Sequence, residues 1–164
     1  MALKIFDDLQ DLHRLSQKEK FILLFAGILH DIGVHAEGPK EHHKTALNIN
    51  LETPILQFDN KTRLIISAIC RYHRRALSSK KHDHFNSLSY EERNKVSILS
   101  GILRIADGLD YSHRSRIRAI RTSFNNKTIQ FDCLVKPLSV KKEISSSDKK
   151  GGLFVSLFQT RTDI

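Results

Sequence analysis

Three short stretches gather residue types that hold cations. LHDIG (29–33) sets His30 and Asp31 side by side at the end of an apolar run, FILLFAGI. Where a backbone turns, adjacent His and Asp both reach one ion. Imidazole nitrogen suits transition metals, and carboxylate oxygen suits them and Mg²⁺. LRIADGLD (103–110) carries Asp107 inside an apolar frame of Leu103, Ile105, Ala106 and Leu109. A carboxylate there is costly unless it is paired or bound to a cation. EHHKT (41–45) and RYHRR (71–75) add His43 and His73 as further metal candidates. One residue of Glu41, His42 and His43 is expected to face the LHD turn. Each candidate also has a plain structural reading: Asp31 as a turn cap, His30 as a satisfied core residue, Asp107 as the partner of Arg104 at i−3.

A second chemistry is anion binding. Arg71, Arg74 and Arg75 fall at i, i+3, i+4 and share one side of a helix end. Guanidinium groups grip phosphate bidentately, and Lys44, Lys80 and Lys81 extend the basic track. Basic residues also favour a helix C-terminus through its dipole, which is the bland account. The formal net charge of +9 favours anionic partners and says nothing about fold. No Gly-rich phosphate loop, CxxC pair or nucleophile elbow is present. Cys70 and Cys133 lie far apart in apolar contexts and read as free buried thiols. Ser67, Ser97 and Ser100 read as packing or surface residues.

The elements that must position these residues are mainly helical. Leu3, Phe6, Leu9 and Leu12 keep helical spacing over 2–12. Ser16 with Glu19 makes a capping box for a second helix. Phe21, Ile22, Leu24, Phe25, Ile28, Leu29 and Ile32 cover much of its surface, which predicts central burial. Gly33 suits a left-handed residue after its end. Pro39 opens a third helix to about Asn50, and Asp59 caps a fourth with Leu64, Ile65, Ala68, Ile69 and Tyr72 inward. Residues 77–88 read as a loop. Ser89 and Glu92 repeat the capping box for a fifth helix to about Leu109. Beyond Arg118, Ile120, Thr122 and Phe124 alternate, as do Ile129, Phe131, Cys133 and Val135, with Asn125-Asn126 between them: a β-hairpin. Residues 139–152 read as a flexible linker, and LFVSLF as a short helix or strand. The fold class is mainly α, a helical domain over 1–116 with a small α+β tail over 117–164.

Taken in order, LHDIG, HHK, RYHRR and LRIADGLDYSHR resemble the HD-superfamily domain on the C-terminal side of the exopolyphosphatase/guanosine pentaphosphatase family. IRAI, the hairpin and KKGGLFVSLFQTRTDI resemble that family's closing segment. The likeness covers nearly all of the chain from LKIF onward and implies an HD-type helical bundle. It implies metal ligation by His30, Asp31 and Asp107, with Asp31 and Asp107 as the catalytic carboxylates of a water-activating site. Two departures stand out. HD proteins usually supply one more histidine from a preceding helix, and residues 1–5 hold none; His13 matches a non-ligand histidine. Thr45 stands where relatives often have another potential ligand.

The expectation is therefore a domain that binds polyphosphate or phosphorylated nucleotides through Arg71, Arg74, Arg75 and Lys44. Its divalent metal (Mn, Mg, Co, Fe or Zn) is expected to be weakly held, with hydrolysis weak or absent. The alternatives are an active metal-dependent phosphohydrolase and a structural dimerisation module. In the family, hydrolysis is attributed to an actin-like domain pair, which these 164 residues do not hold. A partner chain of that kind or a homodimer is expected, and nucleic acid is the less favoured anion. The early acids of MALKIFDDLQ and the absence of a long apolar span point to the cytoplasm and away from a membrane.

Overall fold

The computed structural model describes residues 1–34, 42–53, 57–74, 79–137, 139–158 and 161–163. It is mainly helical with a small hairpin near the C-terminus. The chain runs α1 (Ala2–Asp8), α2 (Gln10–His13), α3 (Gln17–Leu29), α4 (His42–Glu52), α5 (Asn60–Tyr72), α6 (Asp83–Asn86) and α7 (Tyr90–Leu109). Then come β1 (Ile117–Asn125), β2 (Thr128–Val135), α8 (Lys141–Lys150), α9 (Gly152–Phe158) and β3 (Arg161–Asp163). The chain divides into two compact units, Ser16–Ser100 and Met1–Leu15 with Gly101–Ile164. Among the described residues no helix is long and apolar enough to cross a membrane.

The first unit holds α3 to α6 and the start of α7. Its helix starts follow local chemistry. Ser16 and Glu19 form the capping box of α3. Asp59 accepts from the amides of Lys61 and Thr62 at the start of α5. Glu92 and Ser89 exchange the reciprocal bonds before α7. Helix α5 packs against both α3 and α4. It buries Ile65, Ile66, Ala68, Ile69 and Tyr72. Pro39, the expected opening of the third helix, lies outside the described residues.

Helix α3 is not buried all round. Ile22, Leu23, Ala26 and Leu29 face the core, whereas Phe21 and Ile28 are 52 % and 64 % exposed. A near-continuous apolar run hides which stripe packs, because neighbours and not periodicity choose the face. Gly33 is likewise not left-handed. The chain tightens through i→i+3 bonds, Ile32 N–H to Leu29 O and Val34 N–H to Asp31 O.

Glu19 does more than cap. It is buried, accepts from the Ser16 amide at 2.9 Å, and pairs with Lys95 Nζ at 2.9 Å. Burial raises its carboxyl, but the Ser16 and Lys95 hydrogen bonds outweigh that and hold its pKa at about 2. A depressed folded pKa stabilises fully above the ordinary carboxylate range, and that stability is lost as pH falls through 4.5 toward 2. Glu19→Gln should cost about 2 kcal/mol at neutral pH and flatten the loss of stability over that window. Urea melts at pH 6 and pH 3 check it. Equal pH dependence in both proteins would remove Glu19 from the account.

The second unit joins α1, α2 and the end of α7 to the hairpin, α8, α9 and β3. The single helix expected over 2–12 is broken at Leu9, whose φ of −103° and ψ of 18° leave helical geometry. His13 is a satisfied core residue: Nε2–H donates to Phe6 O at 2.8 Å, and Nδ1 accepts the Leu15 amide at 3.0 Å. Helix α1 packs on β1, and Asp8 accepts the Thr122 amide at 2.8 Å. β1 and β2 pair antiparallel from Ile117↔Val135 to Asn125↔Thr128. The turn falls one residue later than expected, with positive φ at Asn126 and Lys127. The inward alternation holds for Ile120, Thr122, Ile129 and Phe131 but fails at Phe124 and Val135, which are exposed near the strand ends. β3 adds parallel to β2.

The expected linker over 139–152 is instead helix α8, and LFVSLF falls in helix α9. Polar composition concealed α8. Its buried residues are Glu143 and Ser147, one turn apart, and Ser147 Oγ donates to Ile105 O of α7 at 3.3 Å.

Candidate metal centre

The end of α3, the start of α4 and the end of α5 bring four donors to one point. His30 Nε2 lies 3.3 Å from Asp31 Oδ2. His73 Nε2 lies 3.8 Å from Asp31 Oδ1. His42 Nε2 lies 3.3 Å from Asp31 Oδ1 and 3.3 Å from His73 Nε2. His30, Asp31 and His73 each offer a donor atom within 4.8 Å of the others. Asp31 is 35 % exposed, while His42 and His73 are buried.

Local backbone bonds decide how the histidines present themselves. A carbonyl oxygen only accepts, so a ring nitrogen facing one carries hydrogen. His30 Nδ1 faces Gly27 O at 2.8 Å, and His73 Nδ1 faces Cys70 O at 2.5 Å. In each neutral ring the proton therefore sits on Nδ1 and the lone pair on Nε2, aimed at Asp31. The same use of a backbone carbonyl orients histidine ligands in metalloproteins. Lone pairs directed at a carboxylate require positive charge between them, from a second proton on the rings or from a cation. Burial raises the Asp31 carboxyl, but the hydrogen bond and charge of His30, with the charges of His73 and His42, hold it well below the usual range. Asp31 is ionised at neutral pH.

The donor set fits a divalent ion. Ligand atoms about 2.1 Å from one ion in tetrahedral array stand about 3.4 Å apart, close to the separations observed. Imidazole with carboxylate suits Mn, Fe, Co and Zn better than Ca. The Cys70 thiol near this point is a packing group. Its Sγ lies 3.6 Å from Ala26 O, and burial, with the Asp31 charge, pushes it far up.

His42 is the member that the sequence left undecided among three neighbours. The clue was Gly33. A Cβ there would stand 2.2 Å from His42 O and 2.9 Å from Ala46 N, so α4 starts directly against the LHD turn. His43, also buried, follows one position on, turned about 100° around the helix. Glu41 lies outside the described residues.

The remaining candidates divide between the units. Arg71 is buried in the last turn of α5, its guanidinium 5.9 Å from the centroid of the Tyr72 ring. Arg74 is half-buried just beyond, and Lys44 is exposed in the first turn of α4. Arg75 lies outside the described residues. Asp107 belongs to the other unit, where Lys150 Nζ forms a short ion pair with its Oδ2. Burial lowers the pKa of nearby Arg104, and the Asp107 charge partly offsets this.

No curated protein matches this chain. A family model described as Ppx/GppA phosphatase, domain III, matches residues 1–143, most of its length. With that span matched, the chain belongs to the Ppx/GppA phosphatase domain III family.

Proposed function

We propose that this domain is of HD type and binds phosphate-rich anions, polyphosphate or guanosine polyphosphates, at a divalent metal held by His30, Asp31, His42 and His73. The observation that carries the reading is a pair of imidazoles whose Nδ1 atoms are tied to backbone carbonyls and whose Nε2 atoms both face the Asp31 carboxylate. Family membership supports an exopolyphosphatase-related role. When bound, the metal supplies positive charge and polarises a phosphoryl oxygen. Asp31 keeps the site negative enough to retain the ion, and its partial exposure leaves an approach for the anion. Arg71, Arg74 and Lys44 add charge on the same unit, in line with the basic composition.

A second reading is an active metal-dependent phosphohydrolase on nucleotides or short polyphosphates. One observation favours it: His42 and His73 both join His30 beside Asp31, which gives the site four donor residues.

Titration of the protein with Mn²⁺, followed by electron paramagnetic resonance, tests the metal. Asp31→Asn keeps the side-chain shape and should weaken binding about 100-fold. Unchanged binding would overturn the site. Polyphosphate affinity should fall steeply with salt, since each contact releases condensed counterions. Lys44→Ala with Arg74→Ala should weaken it more than Lys141→Ala with Lys142→Ala. Equal losses would leave only diffuse charge. Release of phosphate by the Mn²⁺-loaded protein, abolished in Asp31→Asn, would select the phosphohydrolase.

A further inference from the structure

A second group of donor atoms lies outside this centre. Tyr72 ends α5 and is fully buried, while His82 and His84 sit half-buried at the start of α6. Tyr72 Oη lies 2.7 Å from His82 Nδ1 and 3.0 Å from His84 Nε2. The two imidazole planes are parallel within 6°, with centroids 5.6 Å apart. The stretch 77–88, expected as a loop, holds α6 and both histidines.

We propose that Tyr72 Oη, His82 Nδ1 and His84 Nε2 form a second metal site, separate from the first, that takes a divalent ion of tetragonal preference, Cu(II) before Ni(II). Two donors bonded at about 2.0 Å and set at right angles stand about 2.8 Å apart, whereas a tetrahedral pair stands about 3.3 Å apart. The phenol–imidazole separations match the right-angle case. A set of two nitrogens and one phenol oxygen, with no carboxylate, disfavours Mg²⁺ and Ca²⁺. The Arg71 guanidinium near the Tyr72 ring opposes any cation here, and Cu(II), highest in divalent affinity, is the ion best able to overcome it. Asp83 between the histidines is exposed and offsets part of that charge. An ion here would tie the end of α5 to α6 and stabilise the unit by linkage. The proposal does not depend on the first centre.

Its rival is a hydrogen-bond triad: the phenol donates to one imidazole and accepts from the other, with the Ser79 amide as a further donor to the phenol oxygen. Cu²⁺ titration of the 164-residue chain distinguishes them. A copper site should give nitrogen hyperfine structure in the paramagnetic resonance spectrum and a phenolate-to-copper charge-transfer band in visible absorption. His82→Ala and His84→Ala should each raise the copper concentration needed to develop that band at least about tenfold. Tyr72→Phe should abolish the band. Asp31→Asn should leave the band unchanged, and His113→Ala, at an exposed histidine elsewhere, should change nothing. If burial of Tyr72 makes its variant misfold, the half-buried His82→Gln carries the test, with circular dichroism as the folding control. Saturation with copper without the band, or the band retained in the His82→Ala/His84→Ala double variant, would overturn the site in favour of the triad.

Discussion

Gly33→Ala should lose about 3 kcal/mol of stability in the Ser16–Ser100 unit, at the upper end of overpacking costs. The added Cβ would lie 2.2 Å from the His42 carbonyl oxygen and 2.9 Å from the Ala46 amide nitrogen. Both are helix backbone, so no rotamer change relieves the overlap, and α4 must move away from the LHD turn by about 1 Å. His42 Nε2 then leaves its 3.3 Å positions beside Asp31 and His73. Metal affinity should fall about tenfold with stability, because a donor has moved without any donor being deleted. Gly27→Ala is the matched control. Gly27 lies within α3 with nothing inside 4 Å of a Cβ, so alanine there should be neutral or stabilising by up to about 1 kcal/mol. Urea unfolding and Mn²⁺ titration of both variants check the pair. Wild-type stability in Gly33→Ala would mean that α4 does not start where the structure places it.

Gly108→Ala should cost the other unit about 2–3 kcal/mol. Here the Cβ would stand 2.5 Å from Ser147 Cα and 2.7 Å from Ser147 N. Two helices meet with glycine on one and a fully buried serine on the other, so their backbones come close enough for Ser147 Oγ to reach Ile105 O. A methyl group at that contact pushes α8 off α7. Amide exchange protection over Lys141–Lys150 should drop selectively, as expected for local release of a docked element. Ser147→Leu should do the same from the facing side. An undocked polar segment would make both substitutions silent, so the experiment also decides between a linker and a helix for this stretch.

The two glycines show where sequence reading succeeds and where it stops. Helix starts at Ser16, Asp59 and Ser89 were legible because a cap is a bargain among residues within one turn. The hairpin was legible for the same reason, although its turn slipped by one residue, since Asn126 and Lys127 both tolerate the required φ at modest strain. The placement of His30 and Asp31 at a helix end also followed from local pattern. Other features needed partners distant in the chain. Helix α3 offered apolar residues on most sides, and tertiary packing, to which α5 contributes, selected Ile22, Leu23, Ala26 and Leu29. Helix α8 lacked an apolar stripe, because its docking surface is backbone against backbone. His42 and His43 are chemically identical, and the close approach of α4 to Gly33 chose between them. Residue types and local spacing therefore determined which chemistry the chain could support and where its helices begin. Tertiary packing alone decided which donors meet, since convergence of side chains from residues 30, 42 and 73 depends on long-range contacts that no short-range preference encodes.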